Sequence, residues 1–515
     1  MTFIFALSPI IVILVLMVGF KWSAARAGAA GYLWVLIIAI LFFGADGTLL
    51  AYAHTKALLL TIDVLMIIWA AFLLYRVTDE AGAIKTIGEA LPHLTNERGM
   101  QALIIGWDFA TFLQGVGVFG VPVAVTAPMM VGLGFSPLAA VVSTSIGHAW
   151  GVTFGSMGSS FQALVATTDL PDYSLAPFSA LFLGIAGLLG GFMVAYVCGG
   201  RKSIQRLWGV IVCIGLVMGV THYLIAITRL WNIATFVGGI VGLMVVFPLA
   251  RLFPGEKTDN GVLKWKSLLI ALSGYLVLVL VILIVQVFPP VKQLLGKIVI
   301  SINFPEITTK GGLLGLAPFV TPPGPGRKIV LFSHTGMVLL YTAILAYAIY
   351  HWTGCYVKGS ERRIISGTMK SVLSSSVSIT SMVTMSVIME HVGMIDILAR
   401  SMAGSVGGLF PIISPWIGAL GAFITGSNTN SNVIFARLQM QTSLLLQLNI
   451  AVILAAQTAG AALASVIAPT KIIVGASTAG MIGKEGEVMR SLLPYIGLLV
   501  LLISVLTVLG VWLIP

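Results

Sequence analysis

Apolar runs dominate the chain, near 4–20, 30–50, 57–75, 137–160, 176–198, 208–228, 234–250, 267–288, 328–352, 371–391, 448–468 and 490–513. Each is close to the roughly 20 residues a helix needs to cross a bilayer. Two further stretches, about 100–134 and 408–445, are apolar but interrupted in the middle. The first break reads Gly115-Val116-Gly117-Val118-Phe119-Gly120-Val121-Pro122, the second Gly421-Ala422-Phe423-Ile424-Thr425-Gly426-Ser427-Asn428-Thr429-Asn430-Ser431-Asn432. Irregular backbone at membrane depth persists only where protein or a water-filled cavity satisfies the freed amides. One such break in each half predicts a solute site between two repeats of opposite topology. The expected architecture is an all-α polytopic membrane protein. It has about 12 transmembrane helices plus two re-entrant, discontinuous hairpins in inverted-topology repeats. Its units are an N-terminal repeat 1–250, a cytoplasmic loop 251–266 and a C-terminal repeat 267–515. Each repeat pairs its hairpin with a broken span, 137–160 in the first and 448–470 in the second.

Composition supports the membrane reading. Of 515 residues, 58% are hydrophobic and only 9% charged, against roughly 25% charged in soluble domains. The formal charge of +11 does not indicate nucleic-acid binding, because the cations sit in short loops rather than on one face. Basic loops at Lys21/Arg26, Arg76/Lys85/Arg98, Arg201/Lys202/Arg206, Arg251 to Lys266, Lys358 to Lys370 and Lys484/Arg490 are expected on the cytoplasmic side. The loop at Asp169 and Asp172 is expected outside. These sides agree only if the first hairpin opens from the cytoplasm and the second from outside. The segment 289–327 is the exception. It carries Lys292, Lys297, Lys310 and Arg327 yet falls outside by count, so it either dips into the interface or marks an error in the count. The N-terminus, lacking a basic region and a cleavage site, reads as a first span rather than a signal peptide. Cys198, Cys213 and Cys355 have neither zinc nor disulfide spacing.

Several polar residues within the spans carry candidate chemistry. Gly115 to Gly120 matches G-x-G-x-x-G, but Pro122 and the absence of an acid over 135–145 exclude a dinucleotide fold. A hairpin tip and close packing of helices through small residues both remain open there. Ser427 to Asn432 places six hydrogen-bonding side chains in succession, too costly to face lipid. With half-helix N–H groups they form a ready anion site, and their oxygens could equally ligate Na⁺. Substrate contacts are expected from Gly120, Ser156, Gly158, Ser159, Ser427, Asn428, Thr429, Ser431, Asn432, Gln457, Thr458 and Lys471. Asp63, Asp108, Gln114 and His148 are the coupling-ion candidates, because intramembrane ionisable groups are functional by default. Snorkelling for Lys471 and Arg437, and structural hydrogen bonding for His148, are the competing roles. No metal spacing or nucleophile–base arrangement is present, so neither an enzyme nor a cofactor is expected.

These motifs carry a resemblance to the lactate permease family of bacterial 2-hydroxy-monocarboxylate transporters. Gln114 to Val125 is similar to the family's E-G-x-x-G-F-G-x-P-V-A-I. Thr425 to Asn432 with Phe435, Leu438 and Gln439 resembles T-G-S-D-T-S-S-N-x-x-F-x-x-L-Q. Ala455 to Gly460, Ile467-Ala468-Pro469 and Gly483 to Gly486 resemble A-A-N-T-S-G, I-S-P-Q-S and G-x-E-G. The hairpin tips also resemble those of divalent-anion transporters with an inverted hairpin fold. The resemblance implies an inner-membrane, multi-pass symporter of lactate or glycolate with a cation, most simply a proton, working by alternating access. A Na⁺-coupled carrier of another small organic anion is the alternative. Lipid is an expected partner, nucleic acid is not, and a homodimer is left open. The departures are Gln114 and Asn428 where the family has acids, His148 for an asparagine, Gly151 for a proline and Lys471 for a serine.

Overall fold

The computed structural model describes residues 2–117, 120–253 and 265–514. Val118 and Phe119 of the first tip, and most of the expected cytoplasmic loop 251–266, lie outside the described residues.

The spans are helical, as the hydropathy predicts. Helices α1 (Thr2–Val18), α2 (Ala24–Phe42) and α3 (Gly47–Glu80) open the chain. The predicted run 30–50 is in fact cut at Phe43. Gly44 takes a left-handed φ of 71°, and the Asp46 side chain caps α3 by accepting from the Leu49 amide at 2.9 Å. A continuous helical stretch over 98–116, α4, follows, with a π-helical segment at Ala102–Phe109. Next come α5 (Val121–Gly132), α6 (Pro137–Ala149) and α7 (Ser159–Thr168). Helix α8 (Asp172–Ala226) runs 55 residues and turns sharply at Gly200 (φ 63°, ψ −158°). Left straight it would be more than twice as long as the bilayer core is thick, so it supplies two spans. Helix α9 (Ala234–Ala250) completes this half, and α10 (Trp265–Val287) opens the second.

The second half contains α11 (Thr335–Trp352), α12 (Ser360–His391), α13 (Met394–Val406), α14 (Phe410–Thr425), α15 (Asn428–Leu445), α16 (Ile450–Ala464), α17 (Pro469–Thr478) and α18 (Glu485–Leu513). Ten helical stretches are long and apolar enough to cross a membrane among the described residues. Helix α1, at 17 residues, and the two short halves of the broken span, α6 and α7, are not among them. The chain is thus an all-α polytopic membrane protein.

The segment that did not fit the charge pattern is a β arm. Strands β1 (Val299–Ile300), β2 (Asn303–Phe304) and β3 (Ile307–Thr308) pair antiparallel with β6 (Ile329–Val330), β5 (Gly324–Pro325) and β4 (Val320–Thr321). These nested ladders make one long hairpin. Two of its cations are neutralised locally: Lys310 pairs with Asp46 at 2.9 Å and Arg327 with Asp63 at 2.8 Å. The Leu49 N–H and the Lys310 ammonium lower the Asp46 carboxyl from its ordinary value. The span before the arm stands where the hydropathy predicts it, but the one after it begins at Thr335 rather than 328, because β6 (Ile329–Val330) still belongs to the arm.

The first arm of each interrupted stretch packs against the helix of the broken span that follows it in the same manner. A Cβ on Gly147 of α6 would lie 2.0 Å from the Gly106 carbonyl of α4, and one on Gly460 of α16 would lie 2.0 Å from the Pro415 carbonyl of α14. Glycine alone permits this backbone-to-backbone approach, a packing device typical of membrane helices.

Candidate functional site

Helices α14 and α15 pack side by side and meet at Gly426, which has a left-handed φ of 72°. Ser427 then caps α15, its hydroxyl accepting from the Asn430 amide at 3.3 Å. This tip borders a cavity of about 430 Å³, lined by Thr425 to Asn430, Ser156, Ser159, Ser160, Gln114 and Lys471. The cavity extends along α12 past Ser378, Ser375, Ser374 and Ser371 to Trp22 and Ser23 in the basic loop between α1 and α2.

The polar tip is braced from below. Asn428 Nδ2 donates to Thr153 Oγ1 at 3.0 Å, and Asn432 Nδ2 donates to Thr458 Oγ1 and to the Ser160 carbonyl, each at 3.0 Å. Thr429 and Ser160 hydroxyls are 3.0 Å apart, and Asn430 Nδ2 donates to Ser378 Oγ at 3.0 Å. These bonds fix the amide nitrogens of the tip, while Asn430 Oδ1 and Asn432 Oδ1 are buried without a partner among the described residues. Opposite the tip, Ser156 and Met157 adopt left-handed φ values of 49° and 56°. Such backbone is uncommon for non-glycine residues and is held by surrounding structure. Lys471 is buried at the start of α17 and its Nζ donates to Ser465 Oγ at 2.9 Å. It does not reach out to the membrane surface, so the snorkelling alternative does not describe it.

The other expected site residues lie elsewhere. Ser431, Gln457 and Thr458 are fully buried in the packing behind the cavity: Gln457 donates to Ser431 Oγ at 3.1 Å and accepts from Gln439. Gly158 packs on Trp231 and Gly120 faces Val474. His148 is buried outside the lining of this cavity, and its Nδ1 donates to the Thr144 carbonyl at 2.6 Å. Asp108 is fully buried in the π-helical segment against Gly242, without a hydrogen-bond partner among the described residues.

Asp63 lies apart from the cavity and carries no free carboxylate. Arg327 reaches its Oδ2 at 2.8 Å, Gln162 the same oxygen at 2.5 Å, and His334 its Oδ1 at 3.0 Å. It anchors the β arm to α3. The hydropathy pattern gave no sign of this, because Arg327 is 264 positions away.

The serine face of α12 was missed. Its signal was present in the sequence: Ser371, Ser374, Ser375 and Ser378 fall at i, i+3, i+4 and i+7, one face of a helix.

The family model for L-lactate permease matches residues 2–514. The chain belongs to the L-lactate permease family. It is 25% identical to the glycolate permease GlcA of Escherichia coli K12, over 98% of this chain and 94% of that protein. It is 26% identical to the L-lactate permease of Bacillus subtilis, over 98% of this chain and 96% of that protein. The E. coli K12 L-lactate permease is 27% identical over 87% of this chain and 85% of its own length. Among solved structures it resembles the YdaH transporter of Alcanivorax borkumensis, with a TM-score of 0.49 and 14% identity over 95% of this chain and 99% of that one. The protein is therefore a multi-pass membrane transporter of the inner (plasma) membrane and not an enzyme. Within this permease, Gln114, Asn428 and Lys471, three of the departures from the family motifs, all line one cavity.

Proposed function

We propose that this permease carries small 2-hydroxy-monocarboxylates of the lactate and glycolate class in symport with a proton, by alternating access. The observation that carries this reading is the cavity where the Asn428 tip, Ser159, Ser160 and Lys471 converge. A buried ammonium beside hydroxyl and amide donors suits a carboxylate with a neighbouring hydroxyl. The same ammonium disfavours Na⁺ at this place. The cavity reaches the basic loop at Trp22 and Ser23, the end assigned to the cytoplasm by charge, so this conformation is read as inward-facing. The matching contacts of Gly147 with Gly106 and Gly460 with Pro415 support two repeats, 1–250 and 267–515, with re-entrant hairpins of inverted topology.

Uptake of labelled lactate, glycolate, a sulfonate and a dicarboxylate into proteoliposomes tests the proposal, under a proton or a Na⁺ gradient. Lactate or glycolate should accumulate with the proton gradient alone. Lys471→Gln should raise the KM at least ten-fold. Accumulation driven only by Na⁺, or only of the sulfonate or dicarboxylate, overturns the reading.

A further inference from the structure

A second set of charges, mostly buried, lies midway along α15. Arg437 is nine residues beyond Asn428, about 13 Å along the helix. Its Nη2 donates to Glu390 Oε1, and its Nη1 donates to the Thr168 carbonyl at 3.1 Å. The same Nη1 stands 3.9 Å from Asp169 Oδ2, and Lys56 Nζ stands 4.0 Å from Glu390 Oε1. These side chains come from α3, the loop after α7, α12 and α15. The β arm covers them, leaving a cavity of about 410 Å³ into which Lys56, Asp169, Glu390 and Arg437 face beside Val320 to Pro325.

Charge balance indicates what this cavity can bind. Around it, Asp396 is paired with Arg400 and Asp63 with Arg327, each at 2.8 Å. His391 faces Thr321 at 3.2 Å, and the Tyr52 ring packs edge-on against Phe304 and His391. The remaining four groups, Lys56, Arg437, Asp169 and Glu390, sum to zero with both acids ionised. The Arg437 and Lys56 side chains are only 13% and 12% exposed, so an added charge there is poorly screened and unfavourable. A carboxylate entering alone would leave the set at −1, whereas a carboxylate arriving with one proton keeps it neutral. Arg437 Nε is a buried donor without a partner among the described residues, so the guanidinium has capacity for a second carboxylate.

We propose that Arg437, Lys56 and Glu390 form an outer substrate site in which the incoming carboxylate displaces Glu390 from Arg437 and Glu390 takes up the co-transported proton. The proton comes from the outer solution onto a Glu390 carboxylate oxygen, and no covalent bond of the substrate changes. This rests on the carboxylate–proton symport proposed above. Because Arg437 and Asn428 belong to one helix, exchange of partners at Arg437 acts on the same rigid element that carries the inner tip.

Equilibrium exchange of labelled lactate or glycolate in proteoliposomes separates the two proposals. Wild-type protein should exchange them, with apparent affinity falling up to ten-fold per unit as pH rises, the limit for one linked proton. Glu390→Gln should still exchange but change less than two-fold between about pH 5.5 and 7.5. Lactate added to purified full-length protein should take up a proton in wild type and in Asp169→Asn, and none in Glu390→Gln. If wild type exchanges neither compound, the carboxylate reading itself fails. If it exchanges them and Glu390→Gln keeps the wild-type pH dependence, or if proton uptake disappears in Asp169→Asn instead, the outer site alone is overturned. Should Glu390→Gln prove inactive, Glu390→Asp decides: the pH midpoint of exchange must shift, and an unchanged midpoint overturns the assignment.

Discussion

The two hairpins share their glycine punctuation and differ in what they present. In the first, Gly115 is pressed against α9, where a Cβ would lie 2.5 Å from Phe236 Cα. Among the described residues of this region, Gln114, just before the break, lines the central cavity and none of the break itself does. This is the close-packing role that small residues play between membrane helices. In the second, Gly426 turns the chain, and Ser427, Asn428, Thr429 and Asn430 all line the cavity. A glycine pattern thus marks where a helix breaks but not what the break does. The side chains after the glycine decide that, because hydroxyls and amides require partners at this depth while valines do not.

The contrast can be broken at several levels. The largest effect is expected from Gly147→Val and Gly460→Val, which drive a side chain into the Gly106 and Pro415 carbonyls. Each should abolish monodisperse protein on size exclusion in detergent. A folded Gly460→Val with a normal first half would show that the two hairpins are not held alike. Next is Asp63→Asn, which leaves Arg327 and His334 beside a neutral amide. Breaking one side of a buried pair costs about 3–5 kcal/mol, so the melting temperature should fall markedly. A wild-type melting curve with lost proton coupling would instead restore Asp63 as a coupling residue. The smallest and most discriminating pair is Asn428→Ala against Gln114→Ala. Loss of the Asn428 contacts should lower the initial rate of uptake about ten-fold, roughly 1.4 kcal/mol. Gln114→Ala should lower it less than three-fold. Equal losses would mean that the first tip contributes to the site as much as the second.

Much of the fold was legible because lipid imposes a simple rule. A helix must be about 20 apolar residues long, so spans can be read off the hydropathy, although the one after the β arm begins seven residues later than the apolar run from 328. The polar tip at 427–432 was legible for the same reason, as polarity is conspicuous in an apolar background. The cut at Phe43 was not, because it depends on one left-handed glycine and one capping aspartate. The placement of Ser431, Gln457 and Thr458 behind the cavity was not either. A polar residue buried in a network and one lining a cavity look alike in a sequence.

The ion pairs divide the two kinds of knowledge most clearly. By itself the sequence determined that this chain crosses the membrane many times, belongs among permeases and carries two polar interruptions. Only the tertiary structure decided that Asp63 is tied by Arg327, that Lys471 lies buried at the cavity, and that Glu390 meets Arg437 and Lys56 beneath the arm. Hydrophobic length is a local property of successive residues. The environment of a charge depends on groups hundreds of positions away in the chain, and only packing brings them together.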